Sequence, residues 1–216
     1  MLPFEKLRPT LLSERCTAPA DEEGWLGEWK LDGYRVLASW GSRDCELRTK
    51  NGVDCTAWFP EVARALAAAD CGAMITDGEM CVLDPLGRAD FDALHARARR
   101  RRFTAGDPAV TYCVFDLLLD AGRNIMDLPL IKRKARLARL LEAQRIPHTL
   151  YVQHVSQKDV PQPVAWLYAQ ALTLQQEGVV GKRADSPYQP GKRTDDWFKL
   201  KRPGATPHGR FARGDR

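Results

Sequence analysis

One short segment of this 216-residue chain concentrates reactive groups: Glu28-Trp-Lys-Leu-Asp-Gly-Tyr-Arg35. Its lysine, Lys30, closes an apolar stretch beside an Asp-Gly pair, where a small residue lets a ligand come close. A lysine amine is a poor nucleophile at its ordinary pKa of ~10.4. It becomes a good one where a cation or desolvation favours the neutral form. Arg35 or a bound divalent metal could act as that cation for Lys30. The same residues would equally suit a plain hairpin whose turn is flanked by charges.

Four further segments bear on that choice. Thr76-Asp-Gly-Glu79 ends a strand-like run with a carboxylate beside a second Asp-Gly. Tyr112-Cys-Val-Phe-Asp116 sets an aromatic and an acid in an apolar strand. Glu177-Gly-Val-Val-Gly-Lys182 puts an acid and a base at opposite ends of a short apolar strand. Trp197-Phe-Lys-Leu-Lys201 alternates two lysines, so both ammonium groups share one strand face. Each alone reads as readily as a capped turn, a core aromatic, a surface acid or a solvated edge.

In order and together, these segments resemble the signature motifs of the covalent nucleotidyltransferases: DNA ligases, RNA ligases and mRNA capping enzymes. Lys30-Leu-Asp-Gly-Tyr-Arg35 matches the K-x-D-G-x-R element of that superfamily, and the resemblance runs over about residues 2 to 203. It is nearest to the adenylation domain of bacterial ATP-dependent DNA ligases of the end-joining type. The resemblance implies an α+β fold of antiparallel sheets flanked by helices, the ATP-grasp-like nucleotidyltransferase domain. It also implies ATP and a divalent ion, Mg2+ or Mn2+, as cofactors, and nicked double-stranded DNA as partner. Other repair or end-joining proteins are further expected partners.

It implies roles residue by residue. Lys30 would take AMP from ATP as a lysyl-AMP phosphoramidate, releasing pyrophosphate. Glu28 would meet the adenine edge and Phe115 would stack on the ring. Arg35 and Glu79 would hold ribose and phosphate, Lys199 and Lys201 the α-phosphate. Glu177, with Glu79 in support, would bind the metal. A pentavalent phosphorus transition state gains negative charge, which lysines and a metal stabilise. The family usually reads Arg-Asn-Gly where this chain has Lys50-Asn51-Gly52, with Arg48 two residues earlier. Arg and Lys differ in bidentate phosphate contact, so either Arg48 or Lys50 is a candidate for that role.

Only 15 residues follow Lys201, too few for the oligonucleotide-binding barrel that usually comes next in DNA ligases. Residues 1–203 are therefore expected to form one adenylation domain and 204–216 a basic, flexible tail, in a minimal single-domain ligase. A NAD-dependent form is disfavoured because 29 residues precede Lys30. An RNA ligase, another nucleotidyltransferase, or a non-catalytic nucleic-acid-binding fragment of a larger ligase are the alternatives. A retained lysine and both carboxylates count against the last.

These side chains need elements to hold them. Residues 25–58 alternate in strand fashion, with Asp32-Gly33 and Asn51-Gly52 as expected tight turns. Residues 59–70 and 90–100 read as helices, and 130–144 as a helix with an Ile131, Ala135, Leu137, Leu140, Leu141 stripe and basic residues opposite. A further helix is expected over 163–176, and strands over 73–83, 110–119, 178–182 and 197–201. Residues 1–24 look irregular. No segment repeats.

Composition narrows the class. Hydrophobic residues are 44% and charged residues 28%, ordinary for a globular chain. No apolar run approaches the ~18 residues of a membrane span, and the N-terminus lacks a signal-peptide core. A soluble, cytoplasmic monomer is expected. The formal net charge of +5 equals that of residues 199–216 alone, which hold six basic residues and one acid. A second basic run, Arg97 with Arg99 to Arg102, lies mid-chain. Both suit a polyanion. The six cysteines have no C-x-x-C spacing and the four histidines no paired spacing, so neither set suggests a metal centre.

Overall fold

A computed structural model describes residues 3–205. The tail arginines Arg210, Arg213 and Arg216 lie outside the described residues. Two sheets carry the architecture. The first has five strands: β1 (Leu11–Glu14), β2 (Trp25–Trp29), β9 (His154–Val155), β10 (Gly178–Arg183) and β11 (Arg193–Lys201), in the order β1-β11-β10-β2-β9. The second has six: β3 (Tyr34–Trp40), β4 (Cys45–Thr49), β5 (Met74–Cys81), β6 (Thr111–Asp120), β7 (Arg123–Asn124) and β8 (Thr149–Tyr151). Its order is β4-β3-β5-β6-β7, with β8 also on β6. Pairing is antiparallel except between β1 and β11 and between β6 and β8.

Strand alternation sorts the side chains into three apolar layers. Val36, Ala38 and Trp40 of β3, with Tyr112 and Val114 of β6, face α1 (Pro60–Ala67), α2 (Phe91–Ala98) and α3 (Leu130–Gln144). On the opposite face, Leu37, Ile75, Cys113 and Phe115 meet Leu26 of β2 and Trp197 of β11 between the sheets. Trp25, Val179, Phe198 and Leu200 pack on α4 (Pro163–Thr173). The helices are fixed by local chemistry. Pro60 starts α1 and the Asp90 side chain accepts from Ala93 N–H at the start of α2. Glu22, far away in sequence, accepts from Val164 and Ala165 N–H at 2.6 and 2.9 Å, placing a carboxylate on the positive end of α4.

Three expectations change. Asn51-Gly52 is a tight turn, with Gly52 at φ +84°, but Asp32-Gly33 is not a hairpin, because β2 and β3 belong to different sheets. The chain crosses there from one sheet to the other. Gly33 is needed because a Cβ would collide with the Met80 carbonyl oxygen. The N-terminal segment is not wholly irregular, since β1 extends the first sheet along β11. The α3 stripe is also different: Ile131 is exposed, whereas the basic residues Arg133 and Lys134 are fully buried beside Leu130 and Leu137. Two buried carboxylates explain it. Arg133 binds Asp116 through Nε and Nη2 at 2.8 and 2.9 Å, and Lys134 lies 2.7 Å from Glu28.

Candidate active site

Lys30 directly follows β2, where its N–H donates to the Gly178 carbonyl, so both sheet strands around it fix its backbone. Its Nζ lies 2.7 Å from Glu177 Oε2, and the side chain is 18% exposed, open to a ligand. Glu177 precedes β10, and its other oxygen lies 3.5 Å from Lys201 Nζ. Three motif residues from the two ends of the chain thus meet at one carboxylate.

Behind Lys30 a narrow pocket of about 50 Å³ opens between the sheets, lined by Glu28, Phe115, Val180, Lys182 and Trp197 among others. Glu28 forms its floor, with Lys182 Nζ 2.6 Å from Oε2 and Lys134 Nζ 2.7 Å from Oε1. Burial pushes the Glu28 carboxyl up, but the two ammonium groups outweigh it and hold it below the ordinary carboxylate range. Burial brings Lys182 down to about 8, against the opposing pull of Glu28. The Lys182 ammonium lies 4.1 and 4.3 Å from the ring centres of Phe115 and Trp197. The Arg35 guanidinium carbon also lies 4.9 Å from the Phe115 ring centre, so two cations hold that ring at the pocket.

Arg35, on β3, is fixed rather than loose. Its Nε and Nη2 donate to the two Asp77 oxygens at 2.8 and 2.7 Å, and the Tyr188 hydroxyl donates to Asp77 Oδ2 at 2.6 Å. Burial works against the Arg35 charge, and Asp77 more than restores it. Glu79 pairs in register with Arg35 across β3 and β5. Burial pushes its carboxyl up to about 7, resisted by Lys30 and Arg35 and reinforced by Glu177 and Asp77.

A wider cleft in front of Lys30 includes Arg35, Lys50, Glu79, Glu177 and Lys201. Lys50 belongs to it, and burial, Arg35, Arg193 and Lys199 lower its pKa. Arg48 is elsewhere: it binds Glu46 and donates to the Gly52 carbonyl, bracing its own turn. Lys199 pairs with Glu14 of β1 at 3.0 Å. Glu28, Lys30, Arg35, Glu79, Phe115, Glu177 and Lys201 thus come together, with Lys50 at the cleft wall. Sequence reasoning passed over Asp77, Tyr188, Lys134 and the role of Lys182. Asp77 and Lys182 stood inside motifs already quoted, whereas nothing local marks Tyr188 or Lys134.

Fold and site together define a narrow pocket between two sheets that opens beside a wider cleft, with a lysine lining both and cations around it. The family described as "ATP dependent DNA ligase domain" matches residues 11–201, and the chain belongs to it. It is 37% identical over 197 residues to the "Multifunctional non-homologous end joining protein LigD" of Pseudomonas aeruginosa, covering 91% of this chain and 22% of that one. It is 32% identical over 200 residues to a "Probable DNA ligase" of Kineococcus radiotolerans, covering 90% of this chain and 38% of the relative. Among solved structures, "mycobacterial DNA ligase D complexed with ATP and MES" superimposes with a TM-score of 0.77 at 30% identity, over 93% of this chain and 62% of that one. The ligase domain of Mycobacterium tuberculosis LigD gives the same TM-score at 31% identity. The chain therefore spans about a quarter of the length of its LigD relatives.

Proposed function

We propose that this chain carries out the adenylation and strand-joining chemistry of an ATP-dependent DNA ligase acting in repair. The observation that carries the reading is Lys30 at the mouth of the Glu28–Phe115 pocket, ringed by Glu177, Lys201 and Lys50. The base enters between the sheets, with Phe115 against its face and Glu28 at its edge. The phosphates then lie toward Lys50, Lys199 and Lys201. The Lys30 amine, released from Glu177 with its proton passed to bulk water, attacks the α-phosphorus. A nitrogen–phosphorus bond forms as the bond to pyrophosphate breaks. AMP next passes to a DNA 5′-phosphate, and a 3′-hydroxyl displaces it.

The donor set fits a hard divalent ion. Glu79 and Glu177 share one cleft and lie close enough for each charge to affect the other. Among the described residues no group of three or more His, Cys, Asp or Glu could hold a metal alone, so nucleotide phosphate would complete the shell. Glu177 would hold the ion with Glu79 in support, and the ion would neutralise charge growing on the α-phosphate. Cytoplasmic location, a monomeric state and recruitment by other repair proteins complete the proposal.

Incubation with α-labelled ATP and magnesium, followed by denaturing electrophoresis, tests it. A labelled band is expected for the natural sequence and none for Lys30→Ala. Label on the Lys30→Ala chain would place the nucleophile elsewhere.

A further inference from the structure

Glu28 Oε1 is the unusual atom of the pocket. It is buried and, among the described residues, receives no hydrogen bond. Lys134 Nζ lies 2.7 Å away, so the charge is met, but off the line that a hydrogen bond needs. The same ammonium donates instead to the Phe115 and Val152 carbonyls at 3.3 and 3.1 Å. Those carbonyls belong to β6 and to the segment just after β8, so Lys134 is anchored to the wall carrying Phe115. Lys182 satisfies the other oxygen, Oε2, at 2.6 Å. Oε1 is thus met by charge but by no well-aligned donor, which leaves it able to accept one from a ligand.

We propose that Lys134 is a positioning residue for base selection: it holds Glu28 ionised and oriented so that Oε1 accepts from the exocyclic amine of a 6-aminopurine. This deepens the ligase reading and rests on a nucleotide base occupying that pocket. A 6-oxopurine would present an acceptor oxygen to a carboxylate and be repelled, so selectivity comes from an unmatched pair as much as from a good one. Lys134 reaches the base only through Glu28. Its loss leaves Glu28 with a single cation and free to turn toward Lys182.

The test is a titration of the full chain with ATP and with inosine triphosphate, followed by the fluorescence of Trp29 and Trp197, which line the pocket. Lys134→Met should lower the ATP-to-ITP affinity ratio by on the order of tenfold, the worth of one hydrogen bond to a charged group. Lys134→Arg should keep most of the ratio. In a Glu28→Gln background, adding Lys134→Met should change the ratio no further, and this double variant also removes the stranded charge if Lys134→Met alone unfolds. Equal weakening toward both nucleotides, or an unchanged ratio, overturns the proposal. A selective pocket in a chain that never labels Lys30 would sink the ligase reading and leave this one standing. A labelled chain with no change of ratio on Lys134→Met would do the reverse.

Discussion

Glu177 and Glu79 sit within one cleft but in unlike electrostatic company. Glu177 is flanked by two ammonium groups, Lys30 and Lys201, so its negative charge is matched. Losing it removes the proposed metal ligand and also the group that holds Lys30 in place. Glu177→Ala is expected to slow metal-dependent adenylation on the order of 100-fold, comparable to one electrostatic transition-state contact. An unchanged metal titration of label transfer would contradict that role. Glu79 is instead pushed up to about 7 from 4.5, so the folded chain binds a proton there that the unfolded chain has released. Its contribution to stability is complete below pH 4.5 and is lost as pH rises to 7, because the folded state must then carry a buried charge. Glu79→Gln should therefore raise stability by about 3 kcal/mol at pH 8 and leave it nearly unchanged at pH 4. Urea unfolding at the two pH values measures the difference, and equal gains at both would refute the assignment.

Elements decide which of these side chains can meet. β10 runs between β11 and β2, so Lys182 stands next to Glu28 only while β10 stays seated. Gly181 permits that close fit, since a Cβ there would enter the Phe198 ring. Gly181→Ala is expected to destabilise the fold by about 2 kcal/mol through overpacking against α4's side of the sheet. It should also weaken ATP binding as Lys182 shifts, which melting and nucleotide titration together would reveal. A melting point equal to that of the natural sequence would show that Phe198 yields freely. The same scale explains what the sequence made legible. Lys30, Glu79, Phe115 and Glu177 lie in short motifs whose spacing is local, and 130–144 was a helix from its periodicity alone. Lys134 was hidden because helical periodicity assigns a basic residue to solvent, and its partner Glu28 lies on a distant strand. Asp32-Gly33 misled for a related reason: the pair is common in hairpins, and only the pairing of β2 with β10 shows that the chain changes sheets. β1 was missed because four residues between prolines carry little alternation, and β11 supplies its register.

Charge organises the whole molecule around the cleft. The ion pairs of the core are nearly self-contained: Glu28 with two lysines, Asp116 with Arg133, Asp77 with Arg35. The cations of the cleft rim share their carboxylates, Lys30 and Lys201 on Glu177 and Lys199 on Glu14, and residues 199–216 alone carry the +5 of the chain. Arg210, Arg213 and Arg216 are the arginines of this stretch that lie beyond residue 204, with no part in the nucleotide motifs. Each phosphate neutralised steepens the dependence of log affinity on log salt by ~0.9, so three working arginines would add between ~2 and ~3 to the slope. Deleting residues 204–216 should flatten the salt dependence of nicked-DNA binding by that amount. Adenylation of Lys30 should be nearly unaffected, because every group proposed for it lies before residue 202. Binding titrations of both chains over a range of salt concentrations decide the matter. Equal slopes would mean that the last residues do not grip DNA, and the Arg99 to Arg102 run, beside the cleft residue His95 on α2, would be the next to substitute.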